Sequence, residues 1–182
     1  METYKELHDA PIASMAVWGT GKVRIAANER TTPEGQYLYD CIVVDIDTSQ
    51  GMPSQADLLE ATRQLCLQQI AAYDQSAHVN TFYLHGKPRW LDRELRQSLA
   101  YSAKAWQATE GDTFDIWFGT QCESLPCDEA LDMLTRLEIY AKQTQGTTAR
   151  HRAEAASLTT MQQLIDYDFT QGYPNLLHFG DG

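Results

Sequence analysis

The stretch Asp74–Asp92 constrains the fold more than any other part of the chain. A short apolar run, Phe82-Tyr-Leu84, is followed by His85-Gly86 and a second short run. Glycine beside the turn supplies the positive φ angle that a tight hairpin requires. Pro88 places the second strand at a sheet edge, because proline cannot donate to a ladder. The stretch therefore predicts two short antiparallel strands followed by a helix that Asp92 caps.

The residues before this stretch predict a second hairpin and a helix. Residues 22–27 alternate polar with apolar side chains, and residues 37–46 are rich in β-branched and aromatic side chains. Together they predict an antiparallel pair, with a weaker strand at 12–18. Ser54, with Asp57 three positions later, resembles a capping box and predicts a helix that runs to about Tyr73.

The residues after Asp92 predict three helices and a third hairpin. An apolar stripe defines the first helix and comprises Leu91, Leu95, Leu99, Ser102 or Ala103, and Trp106. Residues 113–118 predict a strand, and residues 123–126 predict a short return strand or an extended loop. Asp128 predicts the start of a helix that continues past Gly146 to about residue 156. A short helix from 158–160 to about 167 follows, and regular structure is predicted to end at 172–174.

Strands that arrive as hairpins ahead of helices predict an α+β fold. We expect antiparallel hairpins packed against three or four helices, one of them long. The predicted domains are an N-terminal hairpin and helix region, residues 1–73, and a C-terminal α+β module, residues 74–182. A chain of 182 residues is long enough to bury a core without disulfides or metals.

Charge and composition exclude some classes of partner. The net charge is −11, with the acidic residues spread along the chain. Nonspecific nucleic-acid binding relies on clustered Lys and Arg, so we expect no nucleic-acid partner. Acidic proteins are repelled by anionic membranes, and no stretch is apolar enough to span a bilayer. The first residues lack a secretory signal, which predicts a soluble cytoplasmic protein with reduced cysteines.

The candidate chemical motifs are incomplete. Asp45 and Asp47 follow a buried strand, as in haloacid-dehalogenase-type phosphatases, and predict a magnesium-dependent phosphatase as one alternative. Cys122 and Cys127 lack a second pair of zinc ligands at comparable spacing. His78 and His85 flank the central hairpin and can pair with Asp74 or Asp92, but no nucleophile accompanies them. We predict no catalytic residue, no cofactor and no metal site.

Large aromatic residues recur in the second half of the chain. They include four candidate anchors, Trp90, Trp106, Trp117 and Tyr140. Burial in the core is the default interpretation. If the Trp90 ring fills the core, Trp90→Ala is predicted to cost roughly 3–5 kcal/mol. The alternative is a contact surface for a protein or a sugar, because aromatic residues dominate binding hot spots.

Three phrases together resemble a known family. They are Asn80-x-Phe-x-Leu84-x-Gly86-x-x-x-Trp90-Leu-Asp92; Asp115-Ile-Trp117-Phe-Gly119 with Leu125-Pro126; and Leu137-Glu-x-Tyr140-Ala141 with Tyr167-Asp-x-Thr170-x-Gly172-Tyr173-Pro174. Over roughly residues 74–178 the chain resembles domain-of-unknown-function family 4376. That family occurs in bacteriophages, prophages and Bacteroides-type bacteria and is often linked to tail fibres. The resemblance brings no functional residues with it.

The resemblance implies a phage setting for the function. We expect a non-enzymatic structural or assembly protein, associated with the tail, that contacts other phage structural proteins or a second copy of itself. We expect the protein to be made in the cytoplasm, and it is then either retained in the virion or absent from it. The alternative is a small binding module that recognises a host surface glycan through aromatic side chains.

Overall fold

The computed structural model describes residues 1–109 and 111–180, and it confirms the α+β fold. Its strands are β1 (Tyr4–His8), β2 (Met15–Val17), β3 (Lys22–Thr31), β4 (Tyr37–Asp45), β5 (Phe82–Leu84), β6 (Lys87–Arg89), β7 (Thr113–Phe118), β8 (Gln121–Pro126) and β9 (His178–Phe179). Its helices are α1 (Gln55–Asp74), α2 (Ala77–Asn80), α3 (Arg93–Gln107), α4 (Cys127–Ser157) and α5 (Met161–Ile165). Antiparallel hairpins are present, as predicted, and α4 is the long helix.

The chain forms two compact units. Unit 1 comprises Met1–Ala72 and Arg150–Gln171, and unit 2 comprises Tyr73–Ala149 and the segment from Gly172 onwards. The predicted ranges 1–73 and 74–182 are contiguous, whereas each unit takes two separate segments. The difference arises because α4 supplies residues to both units and the chain after it completes unit 1 before it returns to unit 2.

Unit 1 is built on a four-stranded antiparallel sheet in the order β1-β4-β3-β2. Alternation along β3 and β4 gives the sheet two different faces. One face carries the larger core, made by Val23, Ile25, Ile42 and Val44 with Leu58 of α1 and Ile165 of α5. The other face carries a smaller cluster of Ala26, Tyr39 and Cys41, and beside it the buried Arg24 is paired with Glu6 at 2.7 Å.

Local sequence chemistry explains the ends of two helices in unit 1. The backbone N–H of Asp57 donates to Ser54 Oγ at 3.2 Å, so the predicted cap at the start of α1 is present. Thr160 forms a full capping box with Gln163 at the start of α5. Helix α5 ends at Ile165, two residues before the predicted end. Strand β1 was not predicted, because most of its side chains are polar and it buries none of them fully.

Unit 2 contains the stretch that the sequence singled out. Strands β5 and β6 pair antiparallel, with His85 (φ 51°) and Gly86 (φ 71°) in the turn, and Pro88 lies on the edge strand as predicted. The prediction that regular structure ends at 172–174 is wrong. Strand β9 pairs with β5 in parallel, and two residues are too few to leave a pattern in the sequence.

The core of unit 2 gathers side chains from its hairpins and from α4. Its buried members are Phe82, Leu84, Leu91, Ile116, Leu125, Ala130, Met133, Leu134, Leu137 and Phe179. Strand β7 has its predicted bounds, and β8 begins two residues earlier than predicted. The predicted apolar stripe of α3 is wrong in part, because Leu95 and Trp106 are exposed whereas Arg96 and Ala103 are buried.

Two glycines offer a matched test of the backbone. Gly86 has φ +71° and Gly146 lies within α4, and an added Cβ meets no atom within 4 Å at either position. Gly86→Ala should therefore lower the free energy of unfolding by about 1–2 kcal/mol, the cost of a left-handed backbone for an L-residue. Gly146→Ala should raise it by about 0.5–1 kcal/mol through helix propensity.

Urea titration followed by circular dichroism measures both changes. The two variants add the same methyl group, so opposite signs isolate the backbone conformation as the cause. Equal effects of the two substitutions would contradict the hairpin geometry at residues 85 and 86.

Candidate functional site

The structure places three of the four candidate anchors at the surface. Trp90 is 40% exposed, Trp106 54% and Trp117 61%, so burial in the core is the wrong interpretation for these three rings. Tyr140 is buried, and its hydroxyl donates to the Val79 carbonyl at 2.8 Å. Burial also raises the pKa of Tyr140. Tyr140 is thus a structural anchor of unit 2, and the tryptophans are available for contacts.

Trp90 lies at a polar pocket of about 330 Å³ within unit 2. The charged lining residues are three acids and three bases, Asp74, Asp92, Glu138, Arg93, Arg96 and Lys142. Amide side chains from Gln75, Asn80 and Gln145 complete most of the polar lining. No serine, cysteine or histidine lines the pocket. The lining offers a polar molecule hydrogen-bond donors and acceptors of both charges.

Arg96 is the most enclosed charge in the pocket. It is 9% exposed, and its Nε donates to Glu138 Oε1 at 2.9 Å. Its Nη1 donates to the Leu91 carbonyl at 2.7 Å. A buried charge must be paired or it costs several kcal/mol, on the order of 3–5 when one partner is removed. The two bonds therefore fix this guanidinium in one position on the pocket wall.

The acids of the pocket are held as well. Trp90 Nε1 donates to Asp92 Oδ1 at 3.1 Å, which ties the indole to the N-cap residue of α3. Asp92 makes no side-chain bond to the helix N–H groups, so the predicted capping bond is replaced by this contact. Thr148 Oγ1 donates to Asp74 Oδ1 at 2.6 Å, and Asn80 Nδ2 donates to the Asp74 carbonyl at 2.6 Å. These bonds hold Asp92 and Asp74 in fixed positions on the pocket wall.

Trp106 has a structural neighbour of its own. A Cβ built at Gly111 would clash with the Trp106 ring, so the indole packs directly on this glycine. The Gly111 N–H also donates to the Trp106 carbonyl at 3.2 Å. Trp106 therefore covers the chain just beyond the end of α3, and roughly half of its surface remains open.

Trp117 lies on a hairpin with open edges. Strands β7 and β8 pair only with each other among the described residues. Gly119, with φ +64°, begins the two-residue turn, so Phe118 and Gln121 form the first hydrogen-bonded pair. Hydrogen-bonded pairs alternate from there, which leaves the N–H groups of Asp115 and Trp117 directed away from β8. Trp117 pairs across the hairpin with Cys122, which is the exposed member of the four free cysteines.

A charged contact joins this hairpin to β6. Arg89 Nη1 donates to Gln121 Oε1 at 2.6 Å, and Arg89 Nη2 donates to Glu123. The Arg89 guanidinium also lies 4.9 Å from the centre of the Phe118 ring. The hydrogen bond from Arg89 lowers the pKa of the Glu123 carboxyl. These contacts hold the turn end of the hairpin, while the outer edges of its two strands remain open.

The other candidate motifs do not assemble into a site. Asp45 Oδ1 lies 3.6 Å from Lys22 Nζ, and both side chains are exposed. Asp47 accepts from the Ser49 N–H at 2.8 Å, a turn contact that lowers the pKa of its carboxyl. His78 stacks on Tyr73, and His85 Nδ1 lies 3.8 Å from Glu123 rather than near Asp74 or Asp92. Within residues 1–109 and 111–180, no group of three metal-ligating side chains can hold an ion.

No helix in the described part of the chain combines the length and the apolar character needed to cross a bilayer. Comparison with family models, curated proteins and solved structures gives no match for this chain. The candidate sites therefore stand on their own geometry.

The residues that sequence reasoning missed are Arg96 and Glu138. Arg96 follows Asp92 by four positions and lies beside the apolar residues of α3, but its burial depends on a partner 42 positions away. Periodicity treats an arginine as a surface residue, so Leu95 was predicted to face the core instead. The one signal in the sequence for the burial of Arg96 was its position next to the apolar stripe predicted for α3.

The adjacent residues Trp90 and Leu91 give a matched stability test. The Trp90 ring is 40% exposed, and Leu91 is 2% exposed. Trp90→Ala should lower the free energy of unfolding by about 1–2 kcal/mol, because it loses partial burial and one hydrogen bond. Leu91→Ala should lower it by about 2–5 kcal/mol, because it leaves a cavity in the core.

Urea titration of both variants checks this order. A cost for Trp90→Ala equal to or above that of Leu91→Ala would restore the original prediction of a core role for Trp90.

Glu123 predicts a pH-dependent contribution to stability. Because its pKa in the folded protein is below the ordinary value, its ionised form is favoured by folding. The stabilisation is present above the ordinary pKa of a glutamate and is lost as the pH falls through the lowered pKa. Glu123→Gln should therefore destabilise the protein at neutral pH, and the difference from the wild type should shrink on acidification.

Urea titrations at a series of pH values measure this difference. Glu34→Gln, in the exposed turn between β3 and β4, is the control for general loss of negative charge. A gap between wild type and Glu123→Gln that stays constant with pH would refute the role of the Arg89 contact.

Proposed function

We propose that this chain is a non-enzymatic structural or assembly protein of a phage or prophage that acts through protein–protein contacts. The phage setting rests on the resemblance to family 4376. The observation that supports a contact function is the β7–β8 hairpin, which combines an exposed tryptophan with two strand edges that pair with no other strand in the described part of the chain. The partner is another structural protein of the same particle or a second copy of this chain.

The strand edges favour an extended partner segment. An unpaired edge presents N–H and carbonyl groups that accept a further strand. The outward N–H groups of Asp115 and Trp117 provide such an edge on β7. Main-chain bonds supply affinity without dependence on side chains, and the neighbouring side chains supply specificity.

Trp117 is the expected anchor of this contact. Tryptophan is enriched among interface residues whose truncation costs the most binding energy. The ring is 61% exposed on a hairpin that Arg89 and the core of unit 2 hold in place. Because the backbone that carries Trp117 is already held in place, the anchor loses little conformational entropy on binding, and this favours affinity.

The exposed face of α4 is a weaker candidate for self-association. Its exposed positions include Asp132, Arg136, Lys142 and Gln143, and Ile139 is the large apolar side chain among them. A helix pair needs a continuous apolar seam. Any second copy is therefore expected at the hairpin rather than along α4.

Binding to purified partners tests the proposal. The virion proteins encoded by the source genome are purified and passed over the immobilised chain, and sedimentation velocity measures self-association. Trp117→Ala should weaken the specific contact at least about tenfold, as for an interface hot spot. Asp115→Pro, which removes one outward N–H, should weaken it as well.

Trp18→Ala is the matched control, because Trp18 is a half-exposed tryptophan of unit 1. It should leave binding unchanged. A chain that stays monomeric and binds none of the virion proteins would refute the proposed function. Binding that is unchanged by Trp117→Ala and by Asp115→Pro would show that the contact surface lies outside the β7–β8 hairpin.

Recognition of a glycan through aromatic side chains is the second candidate function. It is favoured by the exposure of Trp90 beside a polar pocket. A glycan array probed with the labelled wild type and with Trp90→Ala tests it. Loss of a wild-type signal in the variant supports this function, and the absence of any signal counts against it.

A further inference from the structure

The Trp90 pocket has a fixed aromatic wall. The indole is partly exposed and lines the pocket, and its bond from Nε1 to Asp92 Oδ1 restricts its rotation. A pyranose ring has C–H groups on its faces and hydroxyl groups around its edge. The C–H face packs on an aromatic ring, and the hydroxyl groups then reach the polar residues around it. A fixed ring beside a polar wall is the arrangement that such a ligand requires.

The charges of the pocket cancel. Three carboxylates and three cationic side chains line it, so the formal sum is 3 − 3 = 0. An anionic ligand would meet the carboxylates of Asp74, Asp92 and Glu138, and a cationic ligand would meet as many bases. A hydroxyl group can donate one hydrogen bond and accept another at the same time, so it is satisfied by a wall that offers both carboxylates and cations. The balance favours a neutral ligand with many hydroxyl groups.

Arg96 supplies an open donor in a fixed position. Its Nε and Nη1 are used by Glu138 and by the Leu91 carbonyl, and Nη2 has no partner among the described residues. Nη2 is not one of the enclosed polar atoms without a partner, so it keeps contact with solvent although the residue is only 9% exposed. A guanidinium held by two other bonds loses little freedom when it donates to a ligand. The open nitrogen of a buried arginine thus points to a ligand with acceptor oxygens.

The volume sets the size of the ligand. At about 330 Å³ the pocket lies near the lower end of the roughly 300–1,000 Å³ found for small-molecule sites. One sugar ring, or one ring with its neighbour at the mouth, is the appropriate size.

We infer that the pocket beside Trp90 binds one pyranose ring of a neutral sugar, with the ring face on the indole and hydroxyl groups bonded to Arg96 Nη2 and the pocket carboxylates. This inference rests on the second candidate function and gives it a site and a ligand class. It uses none of the hairpin residues assigned to protein contacts.

The indole N–H signals in a ¹H–¹⁵N NMR spectrum test the inference directly. The chain has four tryptophans, so Trp→Phe variants assign each signal. The probes are methyl glycosides of glucose, galactose, mannose and N-acetylglucosamine, with N-acetylneuraminic acid and inorganic phosphate as charged comparisons. At least one neutral glycoside should shift the Trp90 signal saturably, and the Trp18 signal should remain in place.

Three variants separate the parts of the site. Saturation-transfer NMR on the sugar should show that Trp90→Ala weakens binding at least about tenfold, whereas Trp90→Phe keeps an aromatic face and weakens it less. Asp92→Asn keeps an oxygen that can accept from the indole but changes the charge sum from zero to plus one. It should therefore increase binding of the acidic sugar relative to neutral ones. Circular dichroism confirms that each variant is folded.

The outcomes distinguish the inference from the function on which it rests. Binding of the acidic sugar alone, with the Trp90 signal shifted, would overturn the neutral ligand class and keep the glycan function. A response to inorganic phosphate alone would overturn both. Neutral sugars that shift other indole signals but not Trp90 would keep the glycan function and remove the pocket as its site.

Discussion

The buried guanidinium of Arg96 is the interaction on which the candidate site depends. It joins the start of α3 to Glu138 of α4 and to the Leu91 carbonyl, which directly precedes the N-cap residue. Without these bonds a charge would be left unpaired in a nearly enclosed position. The pairing fixes the beginning of α3, and with it the positions of Trp90 and Asp92. A polar interaction, rather than apolar packing alone, therefore defines this part of unit 2.

Local chemistry made much of the fold predictable. The turn at His85 and Gly86, the edge position of Pro88 and the cap of α1 at Ser54 each depend on a few neighbouring residues, and all were correct. Strand β7 alternates clearly and was found with its exact bounds. In contrast, β1 and β9 are polar or very short and exist because a distant strand pairs with them. Such pairing leaves no pattern in a single sequence.

The candidate site was predictable only in part. The sequence singled out Trp90, Trp106 and Trp117, but hydrophobicity alone cannot distinguish a core ring from a binding ring. For Trp106 the question is which side of α3 is buried, and the ion pair of Arg96 with the distant Glu138 lies on the buried side. Once Arg96 faces inward, Leu95 faces outward. One unforeseen pair thus changed both the face of the helix and the interpretation of its aromatic neighbours.

The split composition of the two units has a consequence for synthesis on the ribosome. The core of unit 1 needs Ile165, and the sheet of unit 2 needs His178 and Phe179 to form β9. Domains usually fold as their residues emerge, N-terminal ones first. Here the first hairpin emerges early but cannot complete its core until most of unit 2 has been made. Helix α1 follows directly and can cover part of the apolar face of β3 and β4, but the part that Ile165 covers stays exposed for most of the elongation of the chain, a period in which a chaperone has a target.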